Sequence, residues 1–252
     1  MTTIPIETIL PISFKTIHKD QITSLKISQE KLKSGDQQLL REGAREFGVT
    51  LSERQLYLFF VFLEGLWSWN RRMNLTGISE KREMIIRLLL DSLVALPHLP
   101  PDGTVLDIGS GAGIPGLPIK IARPEFDVHL IESKAKKVSF LRYMIRKLGL
   151  KGIEAYRGRA ERRADLPILL PFYDIVTARA LAPLKKILTM CSAYLEPGSL
   201  LIAFKGSRVD QEIKESEGLM EELHFKIGKK IPYSLPETEG KRCLLILEKG
   251  TD

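Results

Sequence analysis

Apolar side chains recur at spacings of three and four from Leu56 to Trp67, through Phe59, Phe60, Leu63 and Leu66. That period predicts one buried stripe of a helix. Ser52 followed by Gln55 offers a capping box for its amino end. A second helix is predicted over 80–96, with Met84, Leu88 and Val94 turned inward. Pro97, Pro100, Pro101 and Gly103 then break the chain, and the texture changes. Short β-rich runs at 104–108, 128–132, 152–156, 173–177, 200–204, 225–231 and 243–248 alternate with helical patterns at 114–122, 135–148, 184–195 and 209–223. Such alternation predicts an α/β fold with a mostly parallel sheet covered on both faces. Only a stretch with Pro and Gly, 232–240, separates the last two runs, so an antiparallel edge hairpin is expected. The predicted organisation is a flexible leader (1–36), a helical region (37–100) and a sheet domain (101–252).

Composition narrows the class. With 44% hydrophobic and 27% charged residues over 252 positions, the chain is globular, which excludes collagen-like, disordered and disulfide-scaffold proteins. Cys191 and Cys243 lie far apart with no C-x-x-C, so neither a disulfide framework nor a structural zinc is expected. No apolar run approaches the roughly 18 residues that span a bilayer. A cytoplasmic protein without metal or membrane partner is the expectation. The net charge of +7 is modest, but it is concentrated. From Ser133 to Arg163 eleven Lys and Arg oppose two Glu, a local +9 that exceeds the charge of the whole chain. Solvated helices usually mix signs, whereas this density suits neutralising phosphates. Lys134, Lys136, Lys137, Arg157 and Arg159 are therefore candidate RNA contacts. Arg71 and Arg72 join them beside Trp67, read as a core residue, and Trp69, read as more open.

The strongest signal is VLDIGSGAGIPGLPIKIARPE, residues 105–125. A buried strand ends at Asp107, and Gly109, Gly111, Gly113 and Gly116 crowd the turn into a helix that Pro115 opens. Glycines there permit positive φ and close approach of a ligand to backbone. Counted from Gly111, the spacing matches the dinucleotide fingerprint. Counted from Asp107, it is Asp-x-Gly-x-Gly-x-Gly, which resembles the first motif of class I S-adenosylmethionine methyltransferases. The second frame uses every glycine and gives Asp107 a cationic ammonium to face. Glu132 ends the next strand, where a carboxylate grips the ribose of either cofactor. The methyl donor is favoured.

Absences bear on the acceptor. No Asn/Asp-Pro-Pro-aromatic tetrad for exocyclic amines occurs, and neither cysteine follows proline as a pyrimidine carbon-5 nucleophile would. His18, His98, His129 and His224 are scattered. A ring nitrogen with a free lone pair, such as guanine N7, needs only proximity and alignment.

Trp69-Asn70, Asn74-Leu75-Thr76, Leu90-Asp91-Ser92, DIGSGAGIPGLP, Ala178-Arg179-Ala180 and Lys205-Gly206 together resemble the bacterial 16S ribosomal RNA guanine-N7 methyltransferase G family, also called glucose-inhibited division protein B. The resemblance runs from about Gln37 to Lys249. It implies a class I, Rossmann-like methyltransferase sheet and transfer of methyl from S-adenosyl-L-methionine to guanine N7 in the 530 loop (position 527) of 16S rRNA. It also implies cofactor contacts at Gly109, Ile114, Glu132, Ala160, Glu161 and Arg179, to which the reading of the glycine motif adds Asp107, Gly111 and Gly113. Asn74 and Arg179 would position the reactants without a general base, and Lys205 joins the RNA-facing cations. A monomer acting on 16S rRNA or the small ribosomal subunit is expected. The rivals are a small-molecule methyltransferase, a dinucleotide-dependent oxidoreductase and a non-catalytic RNA-binding module. The +9 segment speaks against both enzymes. The set Asp107, Gly109, Gly111, Gly113 and Glu132 speaks against the module.

Overall fold

Apolar runs that pack on both faces become the inner strands of the sheet, because a parallel strand is buried above and below. In the computed structural model, which describes residues 35–251, they are β1 (Thr104–Ile108), β2 (Asp127–Glu132), β3 (Ile153–Arg157), β4 (Ile175–Arg179) and β5 (Leu200–Lys205). The edge pair is β6 (Phe225–Tyr233) and β7 (Arg242–Lys249). The order is β3-β2-β1-β4-β5-β7-β6, with β7 antiparallel to both neighbours. The strand order reverses between β1 and β4, and open α/β sheets bind ligands beyond the carboxyl ends of the strands at such a point. The predicted β4 begins two residues early. Tyr173 and Asp174 instead precede the strand, where Asp174 accepts from Thr104 N at 2.7 Å, and the shift brings Arg179 to the carboxyl end of β4.

The helices are α1 (Gly35–Glu46), α2 (Glu53–Met73), α3 (Lys81–Met84), α4 (Asp91–Leu93), α5 (Gly116–Ala122), α6 (Ala135–Leu148), α7 (Leu184–Ser192) and α8 (Val209–Glu222). The leader expected at 1–36 lies outside the described residues except for Gly35 and Asp36, the start of α1. The unit that begins at Leu39 contains α2 and every later element. The expected helix 80–96 is not continuous. Between α3 and α4 the backbone widens into a π-helical turn, Ile85–Leu90. Nearly every side chain there is buried, Arg87 excepted.

The capping box forms as read: Ser52 Oγ accepts from Gln55 N, and Gln55 Oε1 accepts from Ser52 N at 2.8 Å. Leu56, Phe59, Phe60, Leu63 and Leu66 are buried, each such side chain contributing roughly 2 kcal/mol. Both tryptophans are half-buried, so Trp67 is not the core residue expected. Trp69 packs on Phe140 and Tyr143 of α6, with ring centroids 5.5 and 5.2 Å apart. Trp67 is half-buried, and Arg71 and Lys81 lie over its ring at 5.0 and 4.4 Å. On the other sheet face, Leu106, Val176, Leu201 and Leu245 join Ile187 and Leu188 of α7 in one buried cluster.

Candidate functional site

Asp107 stands in register with Thr177 of β4. Two side chains at paired positions share one face of the sheet, and Thr177 Oγ1 accordingly donates to Asp107 Oδ1 at 2.8 Å. Gly116 N donates to Oδ2 at 3.2 Å. Asp107 is 0% exposed. Burial pushes its carboxyl up to about 6, against the lowering effect of those hydrogen bonds and of Arg179. The expected contact with a cofactor ammonium is thus not what the geometry offers. Asp107 is a brace that holds β1, β4 and the start of α5 together. Ser110 Oγ tightens the same turn by donating to Asp107 O at 2.8 Å.

Between brace and helix, Gly109, Gly111 and Gly113 have φ of +71°, +57° and +84°. Those values are strained for side chains other than glycine. The surroundings of the three differ. A Cβ on Gly113 would press on Leu117 and come within 2.9 Å of Leu141, and one on Gly109 would lie 2.6 Å from Leu181. At Gly111 nothing comes nearer than 3.7 Å, where Lys137 Nζ stands, so a side chain there would meet no steric conflict. Gly113 N and Ile114 N both donate to Ser110 O, at 2.7 and 3.0 Å, which turns the loop into α5. Ile114 is buried.

Glu132 meets the glycine loop from the end of β2. It is 7% exposed. Its Oε2 accepts from Gly111 N at 3.0 Å and its Oε1 from Lys134 N at 2.7 Å. An ionised carboxylate has about four acceptor sites, so capacity remains for donors such as ribose hydroxyls. The open glycine face and this buried acid fit S-adenosylmethionine.

The loops after β3 and β4 complete the rim. Ala160 is buried and its carbonyl accepts from Tyr194 Oη at 2.8 Å. Glu161 is exposed, 4.0 Å from Lys186 Nζ. Arg179 is 16% exposed and holds Asp91 Oδ2 through Nε at 2.6 Å. Its Nη2 donates to Arg87 O at 2.6 Å. Asn74 caps α2 at φ +46° and is exposed.

The predicted cations divide. Ser133, Lys134, Arg157, Gly158, Arg159, Arg162 and Asp165 line a hollow of about 580 Å³ beyond the carboxyl ends of β2 and β3. Lys136 is exposed, Lys137 half-buried, and Arg71 and Arg72 are exposed on the last turn of α2. Lys205 does not belong with them. Its side chain is 6% exposed, pairs with Glu212 and donates to Ala182 O at 3.1 Å. That charge is already neutralised inside the fold. A larger hollow of about 790 Å³ lies at the opposite end of the sheet, by Gly103, Asp174, Leu200 and Lys229. None of the predicted residues lines it.

Sequence reasoning missed the role of Thr177, and it missed the cluster around Asp91, whose carboxylate also takes Tyr233 Oη at 2.7 Å and Arg242 Nη1 at 3.2 Å. The readable signal was one acid inside the apolar stretch Met84–Leu96, because a carboxylate so placed requires partners.

Likeness to known proteins agrees with this geometry. Among solved structures, a Bacillus subtilis tRNA methyltransferase shares 15% identity at TM-score 0.52 over 64% of this chain and 65% of its own. A precorrin-6y C5,15-methyltransferase from Geobacter metallireducens shares 15% at TM-score 0.50 over 63% and 87%. They show the fold, that of class I methyltransferases. Closer in sequence are the ribosomal RNA small subunit methyltransferases G of Lachnoclostridium phytofermentans and Acetivibrio thermocellus. The first is 38% identical over 82% of this chain and 87% of its own, the second 37% over 84% and 87%. The GidB family model, described as rRNA small subunit methyltransferase G, matches residues 55–239, which include the glycine loop, Glu132 and Arg179. With that span and those identities, the chain belongs to the rRNA small subunit methyltransferase G family.

Proposed function

We propose that this chain transfers a methyl group from S-adenosyl-L-methionine to N7 of the guanine at position 527, in the 530 loop of 16S rRNA. The observation that carries the reading is the bond from Gly111 N to Glu132 Oε2, which ties the glycine loop to the end of β2 next to the hollow lined by Lys134, Arg157, Arg159 and Arg162. In this reading Gly109, Gly111, Gly113 and Ile114 form the floor of the cofactor site, Glu132 holds the ribose, and Ala160 and Glu161 border the adenine. Bound there, the cofactor supplies an electrophilic methyl on its sulfonium. Lys134, Lys136, Lys137, Arg157 and Arg159, with Arg71 and Arg72, hold RNA phosphates. Their charge orients the backbone and carries no base specificity of its own. Asn74 and Arg179 fix the guanine or the methionine end. Guanine N7 has a free lone pair, so no side chain has to accept a proton, and alignment supplies most of the rate.

Among the described residues no group of three or more His, Cys, Asp or Glu is placed to hold a metal ion, and no helix is long and apolar enough to cross a membrane. The reading includes a cytoplasmic monomer whose substrate is 16S rRNA, free or in the small subunit. Mass spectrometry of rRNA after incubation with labelled methyl donor tests it. Label on N7 of that guanine is expected. Label on another base or atom overturns the assignment.

A further inference from the structure

Asp91 has no exposed surface, yet it receives three donors from three separate parts of the chain. Arg179 Nε comes from the end of β4, at 2.6 Å. Tyr233 Oη and Arg242 Nη1 come from the two strands of the β6–β7 hairpin, at 2.7 and 3.2 Å. Burial and the neighbouring carboxylate push the Tyr233 phenol well above its ordinary range, so it remains protonated and donates. The acid itself stands immediately after the π-helical turn Ile85–Leu90. One residue more per turn re-aims the side chains beyond it, and such turns recur at functional sites. The turn holds the guanidinium a second time, since Arg87 O accepts from Arg179 Nη2 at 2.6 Å.

A buried ionic cluster is an inefficient source of stability, because well-packed apolar residues do as well or better. What this one delivers is a single orientation of Arg179. Nε and Nη2 are taken, and among the described residues Nη1 has no partner. Arg179 ends β4 one residue beyond Ala178, which is in register with Ile108 at the end of β1, so it stands at the end of the sheet from which the glycine loop leaves.

We propose that Asp91 is a positioning residue for methyl transfer, acting through Arg179, with Tyr233 and Arg242 fixing the carboxylate that fixes the guanidinium. This rests on the reading of the site as a methyl-transfer centre in which Arg179 aligns the reactants. It does not depend on which base is methylated.

The test is a double-mutant cycle on the full chain with small subunits lacking the modification and labelled methyl donor. Asp91→Asn keeps the size and removes the charge. The expected result is a fall in kcat of about tenfold or more, with KM for the subunit changed less than about twofold. In an Arg179→Lys background the same substitution is expected to cost nothing further, since a residue acting through Arg179 has nothing left to orient. An unchanged kcat, or an equal fall in both backgrounds, overturns the proposal. Tyr233→Phe, a milder change that removes one donor, gives the same comparison should Asp91→Asn fail to fold. A few-fold loss confined to the Arg179 background supports the proposal, and an additive loss overturns it. Label on a base other than guanine overturns the proposed reaction alone, because the cycle is then read on the base that is labelled.

Discussion

The amide of Gly111 donates to Glu132 Oε2 at 3.0 Å, joining the glycine loop to the end of β2 across the register of two parallel strands. Glu132→Gln keeps the length and removes the charge. It also turns an amide toward one of two backbone donors, Gly111 N or Lys134 N, that the carboxylate now satisfies. Hydrogen bonds to a charged acceptor are worth about 1.5–3 kcal/mol. Affinity for S-adenosylhomocysteine is expected to drop at least about tenfold by calorimetry, with the protein still folded. Unchanged affinity removes Glu132 from the cofactor site.

Gly113 and Gly111 make a contrasting pair. A methyl on Gly113 would collide with Leu117 and Leu141 at φ +84°. Gly113→Ala is expected to cost about 2–4 kcal/mol, combining backbone strain with overpacking. It should be read as a lower Tm. A methyl on Gly111 meets nothing within 3.7 Å, so Gly111→Ala should cost only the positive φ, about 1 kcal/mol. Its larger effect should be on cofactor affinity, because the methyl stands on the loop proposed to hold the cofactor. Equal losses of Tm in the two variants would contradict this division.

How much of this the sequence revealed depends on whether the deciding interaction was local. The loop geometry was legible because positive φ is a property of the glycines themselves, and the capping box because Ser52 and Gln55 are three apart. All seven predicted strands lie within two residues of the observed bounds at both ends, with β4 displaced by two at each. Trp67 and Trp69 are both half-buried, and the rings that cover Trp69, Phe140 and Tyr143, lie on a helix the local pattern of α2 does not contain. Lys205 was misplaced for the same reason. A lysine beside glycine at a strand end reads as surface, and only packing of α8 brings Glu212 to it. The π-helical turn had no signature in an apolar run where every register buries something.

The carboxyl of Asp107 gives a pH dependence with a definite sign. Its value in the folded chain, about 6, stands above the ordinary 3.8 because burial disfavours the charge. The folded chain therefore retains a proton that the unfolded chain releases, so this group's contribution to stability falls as pH rises from about 4 to about 6 and is constant above. Asp107→Asn keeps an acceptor for Gly116 N and removes the titration. Relative to the variant, the wild-type chain is expected to lose about 3 kcal/mol across that window. Urea titrations at several pH values measure the difference. A flat difference would show that Asp107 titrates normally.

Surface and interior lysines should separate RNA binding from stability. Lys134, Arg157 and Arg159 line the hollow beyond β2 and β3 with little acidic opposition. Replacing all three by Ala is expected to weaken RNA binding and to reduce the slope of log affinity against log salt by roughly 2–3. Tm should change little, because these side chains are exposed. Lys205→Ala predicts the reverse. It strands Glu212 beside a buried space, and removing one partner of a buried pair costs about 3–5 kcal/mol. Since Glu212 also accepts from Leu184 N at 2.7 Å and retains some exposure, the lower end of that range is expected. The salt slope should stay where it was. Filter binding at several salt concentrations, paired with thermal melts, distinguishes the two variants. A reduced slope for Lys205→Ala at unchanged Tm would return that lysine to the RNA-binding surface.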